Sequence, residues 1–164
     1  VRKQGFSGAP ILRPYRSVSS NQLWTLMNTI YYVDKNGVSY EAPRGMLTDL
    51  ASIPTLASGL FSNVDHRAPG VIHDARYMLS RVTGEKRADL DSLFAEMSVL
   101  QGANEAQRFA LQSGLEIGGW HAWDECQQAG VTWADFDISV LSDEEIADYK
   151  VRFNIADIQL SRLA

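Results

Sequence analysis

Three side chains that can move a proton or hold a cation lie close together in the chain: His73, Asp74 and Tyr77. At about 100° per residue, the stretch 71–82 places Val71, Ile72, Ala75, Met78, Leu79 and Val82 on one arc of a helix. His73, Asp74 and Tyr77 fall together on the opposite side, and His73 and Tyr77, four apart, are neighbours on it. An imidazole can take a proton from water near neutral pH. A carboxylate beside it can hold Ca²⁺ through oxygen, with backbone carbonyls completing the shell. Taken alone, such a pair is more often a hydrogen-bonded structural histidine next to a solvated charge. Two other stretches of the chain bear on that choice.

The first is a helix expected over 87–100, with Leu90, Leu93, Phe94, Met97 and Leu100 as its apolar stripe. Asp89 and Asp91 border the stripe on either side. The short connection suggests that this helix packs antiparallel to the first, bringing one aspartate to the imidazole. A carboxylate on the second ring nitrogen would fix the tautomer and stabilise the imidazolium; periodicity does not choose between Asp89 and Asp91. The second stretch is Thr48-Asp49-Leu50-Ala51-Ser52-Ile53-Pro54, an acid and two hydroxyls in a loop. Its carbonyls or carboxylate could face a cation; its ordinary role would be a turn in which Asp49 and Ser52 bond their own backbone.

The elements that must hold these groups follow from local signals. Residues 1–60 read as strands and loops. Pro10 to Pro14 is an extended piece suited to a sheet edge, and residues 23–33 carry the Trp, Thr, Ile and Tyr of a pleated surface. Asn36-Gly37 marks a hairpin turn returning through 38–42. Helices are expected over 71–82, 87–100 and 104–127, the last opened by Asn104 with Gln107 three residues on; Ser142 to Glu145 is a second capping box. The fold expected is α+β: a small N-terminal antiparallel β-sheet followed by a bundle of about three helices. Residues 1–130 would form the domain, with 131–164 an extension packing on it or on a partner. Trp120, His121 and Trp123 are taken as core aromatics.

The chain has 164 residues, a formal net charge of −5 and one cysteine, Cys126. Phosphate-backbone binding needs dense Lys and Arg, so no nucleic-acid partner is expected. A single thiol allows no internal disulfide, which suits a reducing cytosol. No apolar run approaches the ~20 residues that cross a bilayer. Synthesis in a cytoplasm is the expectation.

The spaced set Gly45-Met46-Leu47-Thr48-Asp49-Leu50-Ala51-Ser52-Ile53-Pro54, Val71-Ile72-His73-Asp74-Ala75-Arg76-Tyr77, and Arg87 with Asp91-Ser92-Leu93-Phe94-Ala95-Glu96-Met97 resembles a phage-encoded family of unknown function. The resemblance spans roughly residues 5–125, with Gly118-Gly119-Trp120 near its end. It implies a phage or prophage origin, synthesis in the host cytoplasm, a place in the virion or tail, and phage structural proteins as partners. More distantly, the His-Asp-x-x-Tyr helix followed by an aspartate helix is similar to the core of phospholipases A2. That likeness implies His73 as the base, Asp74 as a Ca²⁺ ligand, and Tyr77 and Asp91 as the groups orienting the imidazole. The Asp-x-x-Phe pattern favours Asp91 over Asp89. The glycine-rich calcium loop of those enzymes is not evident, so Thr48, Asp49 and Ser52 would have to replace it. The two leading readings are a hydrolase acting on bacterial envelope lipid and a non-enzymatic tail or baseplate protein. Weaker alternatives are a metal phosphohydrolase site using His66 and a nucleophilic Ser52, which lacks a nucleophile elbow.

Overall fold

The computed structural model describes residues 3–15, 22–50 and 63–156. Among the described residues six short strands come first: β1 (Gly5–Phe6), β2 (Leu12–Tyr15), β3 (Leu23–Leu26), β4 (Ile30–Val33), β5 (Ser39–Ala42) and β6 (Leu47–Thr48). Among the described residues five helices follow: α1 (Arg67–Thr83), α2 (Arg87–Leu100), α3 (Glu105–Gly118), α4 (Trp120–Ala129) and α5 (Asp143–Arg152). The fold is α+β, with antiparallel sheets ahead of the helices. The strands form two three-stranded sheets, ordered β1-β4-β5 and β2-β3-β6.

The stretch 23–33 is therefore two strands, not one. The chain leaves one sheet after Leu26 and enters the other at Ile30. Asn28 holds the break open: its Oδ1 accepts from Ile11 N at 2.7 Å and its Nδ2 donates to Ala9 O at 3.2 Å. The hairpin forms as its turn residues require. Asp34 Oδ1 accepts from the amides of Asn36 and Val38, both at 2.8 Å, and Gly37 takes φ 84°. The proline-bounded β2 is an edge strand, paired with β3 alone.

Helix α1 starts at Arg67, earlier than the pattern suggested, with Pro69 and Gly70 inside its first turns, and ends at Gly84 in the left-handed conformation. It is the central element. Val71, Ile72, Ala75 and Leu79 are buried in a core shared with Leu26, Ile30, Tyr32 and Ala42 from the sheets. The opposite arc is buried as well: His73 and Tyr77 are each 5% exposed. Helices α2 and α4 cover this polar side. The expected third helix is divided into α3 and α4 at Gly119. The Asn104–Gln107 and Ser142–Glu145 capping boxes both form.

Residues 131–156 lie on the β2-β3-β6 side. Met46 bridges to Phe136, and Asp137 N donates to Gly45 O at 2.8 Å. Asp137 Oδ2 accepts from Arg13 at 2.7 Å and Thr25 at 2.9 Å. Gly45 is required there: φ is 82°, and a Cβ would stand 2.5 Å from Leu141 Cδ2.

Candidate functional site

The core of the site is a proton-donor network between α1 and α2. His73 meets Phe94 while Tyr77, one turn later, meets Asp91, so the two helices run antiparallel. His73 Nε2 lies 3.2 Å from Asp91 Oδ1, and the Tyr77 hydroxyl donates to the same oxygen. The imidazole is held between the rings of Tyr77 and Phe94, at 4.2 and 5.0 Å between centroids. Burial, reinforced by the hydrogen bond to Asp91, pushes the Tyr77 phenol far above its ordinary range. It therefore remains a donor at any working pH. With Nε2–H given to a carboxylate, the ring's remaining lone pair is on Nδ1. Among the described residues Nδ1 has no hydrogen-bond partner.

Asp91 is 2% exposed, and its second oxygen, Oδ2, has no hydrogen bond among the described residues. The nearest cation is Arg87, 3.7 Å away on the same helix. Asp89 is exposed and takes no part in the network. It lines a different feature, an open cavity of about 620 Å³ bounded by Asp34, Tyr40, Glu96 and Arg108, which none of His73, Asp74, Tyr77 and Asp91 reaches.

Asp74 is half-buried and accepts a hydrogen bond from the Thr48 hydroxyl at the end of β6. Thr48 Oγ1 in turn accepts from Leu50 N at 2.9 Å. Leu50 has φ 65°, and its carbonyl lies against the first turns of α1. A Cβ on Gly70 would stand 2.8 Å from Leu50 O, so a glycine lets the loop lie on the helix and bring Thr48 to Asp74. Asp49 is exposed. Ser52, with the loop beyond Leu50, lies outside the described residues.

A calcium shell takes six to eight oxygens. Here one carboxylate, Asp74, is already engaged by Thr48, and among the described residues no three His, Cys, Asp or Glu side chains group to hold a metal. These residues do not by themselves build a calcium site. The same observation bears on a site built from His66. His66 lies in the loop just before α1, with its ring half-buried against Phe94 at 6.2 Å between centroids.

The aromatics of α4 divide. Trp123 packs edge-on to Tyr77 at 5.2 Å, as a core residue should. Trp120 is 58% exposed, and His121 is exposed too, so these two are not core. Trp120 covers Arg87, whose Cζ is 4.2 Å from the ring centroid. The sequence reading gave Arg87 no role. Its four-residue spacing to Asp91 was the available signal.

The chain belongs to the DUF1353 family, proteins of unknown function, whose model matches residues 24–112. That span runs from β3 into α3 and includes every residue of the network. No curated protein and no solved structure matches the chain.

Proposed function

We propose that this is a bacteriophage-encoded hydrolase with a phospholipase A2-like arrangement, cleaving carboxylic esters of bacterial envelope lipid. One observation carries the reading. His73 is fixed through Nε2 to a buried carboxylate, leaving Nδ1 as the basic nitrogen. In the reaction Nδ1 takes a proton from water while the water oxygen bonds to the ester carbonyl. Asp91 stabilises the imidazolium so formed. The imidazolium then returns the proton to the departing alkoxide, giving a free fatty acid and an alcohol. Tyr77 keeps Asp91 aimed at the imidazole. The phage setting, a place in the virion tail, phage structural proteins as partners and synthesis in the host cytoplasm are part of the proposal, supported by the motif resemblance.

The test is fatty-acid release from phosphatidylglycerol and phosphatidylethanolamine vesicles, with and without Ca²⁺, by the wild type, His73→Ala and Asp91→Asn. The wild type should release fatty acid. Loss of a general base should lower the rate about 10²–10⁴-fold in His73→Ala. No release by the folded wild type would sink the reading.

A second reading is a non-enzymatic structural or adaptor protein of the tail or baseplate. The burial of His73, Tyr77 and Asp91 favours it, since a satisfied polar network also fixes helix packing. On this reading the same variants lose stability, and there is no release to lose.

A further inference from the structure

Arg87 is tied down on every side. Nη1 donates to Leu115 O at 3.0 Å and Nη2 to Glu116 O at 3.3 Å, where α3 ends. The guanidinium lies on the Trp120 ring at 4.2 Å and faces Asp91 Oδ2 at 3.7 Å. Gly119 completes the socket: a Cβ there would come within 2.9 Å of Arg87 Nη1 and 3.1 Å of the Tyr77 hydroxyl. Leu115 O also accepts from Gly119 N at 2.8 Å, so the guanidinium shares a carbonyl that the helix still uses.

Asp91 needs this. It is a buried carboxylate whose Oδ1 serves both His73 and Tyr77 and whose Oδ2 has no hydrogen bond among the described residues. A buried charge without a compensating partner is costly. Arg87 is the nearby countercharge, and its own position is set by the end of α3 and by Trp120. We infer that Arg87 is a positioning residue for the His73–Asp91 pair, and that the Gly119-Trp120 break between α3 and α4 is the socket that holds it. The inference deepens the proposed function and rests on His73 as its proton acceptor.

The experiment follows the His73 Nε2–H by ¹H–¹⁵N NMR, with hydrogen exchange as the readout and circular dichroism as the check on folding. Arg87→Gln removes the countercharge. Trp120→Ala removes only an exposed ring from the guanidinium, so it decides the matter if Arg87→Gln does not fold. Exchange about tenfold faster in the folded variants, the equivalent of one lost positioning bond, is expected. Unchanged exchange in folded Trp120→Ala would overturn the inference. This readout needs no turnover, so it judges Arg87 even if the wild type releases no fatty acid and the hydrolase reading fails. Where release is seen, misplacement of His73 should lower kcat by up to about 100-fold with KM held.

Discussion

Tyr77 gives the buried network its direction. Its phenol stays protonated and donates to Asp91, so Tyr77→Phe leaves the carboxylate with one donor fewer at a buried position. The expected loss is about 1.5–3 kcal/mol, measured by denaturant unfolding. Cys126 is a second residue-scale case. Burial first, then nearby carboxylates, push its thiol up to about 11. At pH 8 roughly one thiol in a thousand is then thiolate, so native protein should react with iodoacetamide far more slowly than denatured protein. Helical phase put His73, Asp74 and Tyr77 on one arc, and the structure takes His73 and Tyr77 to Asp91 but Asp74 to Thr48. Periodicity alone left Asp89 and Asp91 as equals; only the family resemblance favoured Asp91. Asp91 faces α1 while Asp89 lies on the wall of the separate cavity, and that difference depends on how α2 is rotated against α1. Nothing within α2 alone records that rotation.

Among the elements, what was legible was local. Asn36-Gly37 and the two capping boxes act within four residues, and each formed where its residues stand. The break at Asn28 was not legible, because the Asn28 side chain reaches back to Ala9 and Ile11. The division of α3 from α4 at Gly119 was not read either; Gly119 keeps a right-handed helical conformation there, and Arg87 bonds the carbonyls beside it. Glycines on the two helices test this local and distant contrast. On α1, Gly70→Ala meets the Leu50 backbone carbonyl at 2.8 Å, which cannot swing aside as a side-chain tip can. It should destabilise by about 1–3 kcal/mol, as overpacking does. On α3, a Cβ at Gly114 has nothing within 4 Å. Gly114→Ala should therefore stabilise by about 0.4–1 kcal/mol. Thermal melts of the two variants should shift in opposite directions.

Across the whole molecule, residues 131–156 are bound to the strand region by charge as well as by backbone hydrogen bonds. Asp137 shows the balance. Burial works against its carboxylate, but Ser139, Arg13 and Thr25 outweigh burial and hold it below the usual range. A lowered folded pKa contributes stability above the unfolded value near 3.8, and that contribution is lost as pH falls through the lowered folded value. Asp137→Asn should flatten this part of the acid-unfolding curve. The ties also join distant parts of the chain: Arg13 and Asp137 are 124 residues apart, Arg152 and Glu41 111, Arg44 and Glu145 101. Contacts of that span close large loops, and loop closure must come before such contacts can stabilise anything. The helix pair α1–α2, joined by three residues, closes a far shorter loop. In stopped-flow measurements Asp137→Asn should therefore speed unfolding while leaving refolding nearly unchanged. The clasp between the two ends of the described fold would then act as a kinetic lock: it would set how long the native state lasts, not how quickly it is reached.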